Sequence, residues 1–148
     1  MKLNQISVFV QNEAGSLTKY LRVLADGGVN IHTLTLADTR DFGILRMIIR
    51  EWELARELLE KAGAVVKVSE VYAIHVPHRP GGLAEVTDLL LGARVSIEYM
   101  YAYNLRGEGS AVMVFCFDKP QDALAALAKV GLTPVEPALL FGAAPSTC

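Results

Sequence analysis

The strongest constraint on this chain is that it matches itself. Shifting the 148 residues by 66 positions, with no gap, puts Gly15 on Gly81, Leu17 on Leu83, Leu24 on Leu90, Val29 on Val95 and Ile31 on Ile97. The same shift puts Arg40 on Arg106, Gly43 on Gly109, Met47 on Met113, Leu58 on Leu124 and Ala62 on Ala128. These matches fall on turn glycines and apolar positions, where a shared backbone demands them. A self-match at a fixed offset marks a duplicated structural unit. Two copies are expected, over 1–70 and 71–148.

Within each copy the patterning reads strand, helix, strand, strand, helix, strand. In the first copy, Gln5–Val10 alternates apolar and polar residues. Ser16–Ala25 has helical spacing and stops at Gly27-Gly28, a good C-terminal cap. Strands are expected over 30–37 and 44–50, joined by a turn over 38–43. A helix is expected over 52–61 with Leu54, Leu58 and Ala62 on one stripe, and a strand over 65–69. The second copy repeats this as a strand over 72–76, a helix over 82–91 stopped at Gly92, and strands over 95–103 and 110–117. Asp118 and Gln121 suggest a capping box, with Pro120 in the first turn of a helix that runs to about Lys129. A last strand is expected over 132–136, and the apolar run Leu139-Leu140-Phe141 follows.

A βαββαβ unit with both helices on one sheet face is the ferredoxin-like arrangement. The expected fold class is α+β, with two such units built on antiparallel sheets. Each unit of roughly 70 residues is marginal by itself. In the second copy, Val112, Val114 and Cys116 oppose Ala111, Met113, Phe115 and Phe117, so both faces of that strand are apolar. The helix-free face therefore needs a cover. A second sheet is the first expectation, from the sister copy or another chain, which makes a homodimer a natural partner. The C-terminal tail is the plainer alternative.

The join between the first strand and first helix of each copy carries the functional reading. Gln11–Leu17 and Pro77–Leu83 are glycine turns leading into helices. Asn12 and Gly15 tolerate positive φ, and Ser16 is expected to cap the helix that follows. Such a turn presents backbone N–H groups, here those of Ser16 and Leu17, and the positive end of the helix dipole, which suits a carboxylate. A free amino acid adds an ammonium group, for which the side-chain oxygen of Asn12 or Asn30, or a carbonyl of the turn, is an acceptor. The plainer alternative is that Asn12 only shapes the turn and Asn30 only eases entry into a strand.

Other chemistries find little support. The net charge of −2 and the lack of a basic block argue against nucleic acid. Tyr99, Tyr101 and Tyr103 alternate along one strand, but a packed interface explains them better than base stacking. No apolar run approaches the ~20 residues that span a bilayer, and no apolar leader opens the chain, so a cytoplasmic location is expected. Cys116 and Cys148 are too few for a metal cluster or a disulfide framework. His75 and His78 are three apart at a strand end and lack partner ligands, and His32 stands alone. No nucleophile–base pair, Walker loop or dinucleotide fingerprint occurs. No cofactor or catalytic activity is expected.

The residues resemble the ACT domain family, in tandem. In the first copy the resemblance rests on Asn12-x-x-Gly15-x-Leu17 and Gly28-Val29-Asn30-Ile31. In the second it rests on Arg79-Pro80-Gly81-Gly82-Leu83 and Val95-Ser96-Ile97. The resemblance implies an amino-acid-sensing regulatory module that binds its ligand between paired domains. Carried onto this chain, the binding residues are Asn12, Ala14, Gly15, Ser16, Leu17, Asn30 and Ile31 in the first copy. In the second they are His78, Pro80, Gly81, Gly82, Leu83 and Ser96. Asn12 and Asn30 fill both asparagine positions of serine-binding relatives, whereas Val10 stands where histidine is common. His78 and Ser96 replace the two asparagines in the second copy, so the two sites need not share a ligand. The expectation is a non-catalytic regulator with a free amino acid as ligand and an enzyme of amino-acid metabolism as possible client. The alternative is a ligand-free assembly module.

Overall fold

The computed structural model describes residues 1–38, 40–103 and 110–142. The chain forms two compact units, Asn4–Glu70 and Val71 onward, with Met1–Leu3 belonging to the latter. Both have the expected ferredoxin-like organisation, each with its own core.

The N-terminal unit holds β1 (Leu3–Gln11), α1 (Ser16–Asp26), β2 (Thr33–Asp38), β3 (Phe42–Ile48), α2 (Trp52–Lys61) and the start of β4 (Val66–Pro77). β3 pairs antiparallel with β1 on one side and β2 on the other. Ile6 lies opposite Met47, and Val8 opposite Leu45. Side chains alternate across a strand, so Ile6, Val8, Val10, Leu45, Met47 and Ile49 share the face under the helices. Leu24, Ala55 and Leu59 close the core from above. Each such Leu, Ile or Met contributes about 1.5–3 kcal/mol on burial.

The C-terminal unit takes the rest of β4 and adds α3 (Gly82–Gly92), β5 (Ile97–Tyr103), β6 (Ser110–Phe117), α4 (Pro120–Ala128) and a short α5 (Pro137–Phe141). Here β6 pairs antiparallel with both β4 and β5. The core contains Tyr72, Ile74, Val86, Leu90, Phe115, Phe117 and Leu127. Phe115 and Phe117 stack with centroids 5.4 Å apart.

The register corrects the ungapped repeat. Ile6 faces Met47 and Tyr72 faces Phe115. The offset is therefore 66 up to the second strand and 68 from the third strand on. Gly63 (φ 86°) and Gly131 (φ 78°) end the second helices at that larger offset. Met47 corresponds to Phe115, not Met113. The second copy is two residues longer between its middle strands; residues 104–109 lie outside the described residues, as does Thr39.

Other local expectations shift for identifiable reasons. The buried stripe of α2 is Ala55 and Leu59, with Leu54 exposed; alanine at the contact lets the helix approach the sheet. Asp118 does not cap α4: its Oδ1 accepts the Ser96 N–H at 2.8 Å, and Lys119 is the N-cap. α3 runs through Gly92, and Arg94 at φ 55° takes the left-handed position after it. The fourth strand of the first copy and the first of the second are one continuous strand, β4. The fourth strand of the second copy shrinks to one bridge, Ile74 with Pro134. Proline cannot donate to a ladder, and only Val135 N–H to the Ala73 carbonyl, 2.7 Å, extends the contact.

α5 supplies part of the cover that the C-terminal unit's helix-free face needs. Tyr103 shares that face with Val112 and Val114. Its hydroxyl donates to the Leu140 carbonyl at 2.8 Å, and both residues are buried. Cys116 is buried on the same face.

Candidate functional site

The two glycine turns are built alike. In the N-terminal unit the Glu13 N–H donates to the Gln11 carbonyl (2.8 Å), Ser16 N–H to Glu13 (3.2 Å) and Lys19 N–H to Gly15 (3.0 Å). In the C-terminal unit Arg79 N–H donates to Pro77, Gly82 N–H to Arg79 and Glu85 N–H to Gly81, each at 3.0 Å. Gly15 (φ 90°) and Gly81 (φ 82°) are the N-caps, both left-handed. Only glycine takes that conformation without strain. Ser16 is thus the first helical residue and caps nothing; the glycine backbone makes the entry instead. Asn12 needs no positive φ.

The donors available to an anion also move by one residue. Ser16 N–H is taken by Glu13, so it is not a free donor. Leu17 and Thr18, like Leu83 and Ala84, have N–H groups with no backbone acceptor among the described residues. These are the orphan donors of a helix start.

A cavity adjoins each turn. In the N-terminal unit it has a volume of about 220 Å³ and is lined by Val10, Gln11, Asn12, Glu13, Leu17, Leu36, Asp38 and Gly43. In the C-terminal unit it measures about 400 Å³, with Val76, Pro77, His78, Arg79, Pro80, Leu83, Ala111 and Met113 around it. Of the residues expected to bind, Asn12, Leu17, His78, Pro80 and Leu83 line these cavities. Ala14, Gly15, Ser16, Gly81 and Gly82 shape the turn without lining them. Gly82 is fixed sterically: a Cβ there would sit 2.0 Å from the Pro77 carbonyl oxygen.

Asn30, Ile31 and Ser96 lie elsewhere. Thr33 is level with Ile48 and Gln5, whereas Gln11 is level with Phe42. Asn30 therefore sits at the opposite end of its sheet from Asn12, about 20 Å away at 3.3 Å per residue. Ile31 packs against the core. Ser96 occupies the matching far end, with its backbone paired to Asp118. No single unit brings both asparagine positions to one ligand.

Glu13, Asp38 and Arg79 are cavity residues that the sequence reading left out. The signal was available: an antiparallel β1–β3 pair carries the β2–β3 hairpin to the end of β1. Asn12 N–H indeed donates to the Asp41 carbonyl at 3.1 Å. Arg79 is held by Glu85, Nη2 to Oε2 2.7 Å, in an exposed pair. Among the described residues no three His, Cys, Asp or Glu cluster as metal ligands, and no helix is long and apolar enough to cross a membrane.

These paired ferredoxin-like units, each with a glycine turn beside a small cavity, define a class. The family model "ACT domain pair" matches residues 1–137, and the chain belongs to that family. It is 30% identical over 77 residues to the acetolactate synthase small subunit of Buchnera aphidicola subsp. Baizongia pistaciae, a match covering 48% of this chain and 48% of that protein. The chain thus spans about half the length of this curated relative. Among solved structures, a protein from Bacteroides thetaiotaomicron superposes with a TM-score of 0.86 at 30% identity, covering 97% of this chain and 98% of that one. The ligand-free regulatory subunit of aspartate kinase from Thermus thermophilus follows at 0.61 and 15% identity, covering 86% and 91%. At that identity the likeness is one of fold.

Proposed function

We propose that this protein is a non-catalytic regulator that binds a free amino acid at its glycine turns. The observation that carries the reading is the repetition: both units pair a small cavity with a left-handed glycine and orphan helix N–H groups. The carboxylate goes to the amides of Leu17 and Thr18 in one unit, and of Leu83 and Ala84 in the other. In the N-terminal unit the ammonium group goes to Asn12, Glu13 or Asp38. A cavity of about 220 Å³ is below the roughly 300 Å³ of ordinary small-molecule pockets, which favours a small amino acid. Asn30 and Ser96 join a site only when a second unit brings its own far end to the turn, so the ligand stabilises whichever pairing of units completes it. An effector must discriminate between two states in this way to regulate anything.

The domain limits we propose are 1–70 and 71–148, with the protein acting in the cytoplasm on an enzyme of amino-acid metabolism. The relative named as an acetolactate synthase subunit supports that class of client. Phe9 and Phe42 are 45% and 51% exposed on the helix-free face of the N-terminal unit, which favours sheet packing in a homodimer.

Thermal-shift screening against the twenty amino acids tests the reading. A ligand at a hundred times its Kd adds about 2.7 kcal/mol. Asn12→Ala should abolish the shift from the N-terminal site and His78→Ala that from the C-terminal one. No shift with any amino acid, together with a stable protein partner, would instead establish a ligand-free assembly module.

A further inference from the structure

The first helices of the two repeats differ in chemistry at three positions. Lys19, Tyr20 and Arg22 on α1 correspond to Glu85, Val86 and Asp88 on α3. The charges are reversed and an aromatic ring is replaced by an isopropyl group. In the N-terminal unit Tyr20 packs against the core, with Lys19 Nζ 5.4 Å from its ring centroid. In the C-terminal unit the corresponding place is a cavity of about 500 Å³. Val86, Leu89 and Leu132 give it an apolar lining, and Val130, 53% exposed, forms part of its rim. Glu85 and Asp88 also line it. Glu85 is engaged with Arg79. Asp88 has no ion-pair partner among the described residues.

We propose that this cavity, which meets the glycine-turn cavity at Pro77, is a second binding site, for a compound with a hydrocarbon body and a cationic head. The volume falls within the roughly 300–1,000 Å³ of small-molecule pockets, which are mostly apolar with a few polar groups that orient the ligand. The hydrocarbon body displaces water from Leu89, Val130 and Leu132, above the buried Val86. The head sits at the rim beside the Asp88 carboxylate, which repels an anion, while the charge of Glu85 is offset by Arg79. The N-terminal unit has no counterpart to this recognition: it offers cations and a tyrosine ring at the same positions.

The test is amide NMR on the full chain, titrated separately with hexylammonium chloride and sodium hexanoate at low ionic strength. Hexylammonium should shift the amides of Val86, Leu89 and Leu132, and hexanoate should bind more weakly. Asp88→Arg, an exposed change that copies Arg22, should weaken hexylammonium by up to about fivefold, in line with an exposed charge interaction of up to ~1 kcal/mol, and should narrow the preference over hexanoate. Val86→Tyr, which copies Tyr20, should abolish binding with the remaining spectrum unchanged. If Val86→Tyr loses its dispersed spectrum, Asp88→Arg decides. Equal binding of both probes, shifts centred elsewhere, no shift at all, or an unchanged affinity in Asp88→Arg would overturn the proposal.

Discussion

The two turn cavities share a backbone and differ in charge. Glu13 and Asp38 line the N-terminal one; His78 and Arg79 line the C-terminal one. Their hydrogen-bond ladders correspond residue for residue. The two copies thus share the part that geometry dictates and differ in the side chains that line the cavity. An acidic lining favours a ligand presenting its ammonium group, and a basic one favours a ligand presenting its carboxylate. The two units are one frame with two differently charged cavities.

The comparison is open to attack at several points. The largest effect concerns the register. Phe115→Ala should cost about 4 kcal/mol and Met47→Ala about 3 kcal/mol in urea unfolding, because these residues occupy equivalent buried places. Met113, only half-buried, should cost clearly less. A Met113→Ala cost equal to that of Phe115→Ala would break the 68-residue equivalence. Next is the turn itself. Gly82→Ala should cost roughly 2–3 kcal/mol by overpacking against the Pro77 carbonyl, whereas Ser16→Ala should stay within about 0.5 kcal/mol. Equal costs would show that the turns are not under different steric control.

The helix ends offer a smaller contrast. Gly28 at φ 70° and Arg94 at φ 55° occupy equivalent left-handed positions. Arg94→Gly should stabilise the protein by up to about 1 kcal/mol, and Gly28→Ala should destabilise it by about the same amount. Both are read from denaturant midpoints. The last contrast is a titration. Burial and the nearby Arg50 charge lower the His32 pKa below 6.5, against a smaller opposing pull from Glu51; the matching position is Glu98. The unfolded chain takes up the proton first. The stability owed to neutral His32 is therefore whole above pH 6.5 and declines as pH falls below it. His32→Gln should flatten that part of the stability curve, and an unchanged slope would assign it to other groups.

Much of the fold was legible because its signals are local. Apolar alternation located β1, a continuous apolar run located β6, and Gly15, Gly28, Gly63 and Gly81 all adopt positive φ where chain direction changes. The two-residue lengthening was hidden because Gly43 on Gly109 and Met47 on Met113 match by residue type while differing in place. The continuity of β4 was hidden because nothing between Ser69 and Tyr72 marks either a break or its absence. α5 could not be anticipated, since its buried Leu140 depends on Tyr103, 37 residues away. At the turns, the sequence pointed to Asn12 and His78 but not to Asp38. That residue reaches the cavity through strand pairing rather than through neighbours in the chain.

The undivided β4 has a consequence for the history of the molecule. Its twelve residues serve as the end of one repeat and the beginning of the next, so the repeats are joined without a spacer. A recombination event that removed or added a copy at that seam would cut a strand in mid-course and leave a frayed stump on each side. The seam between the repeats therefore offers no place for a clean cut.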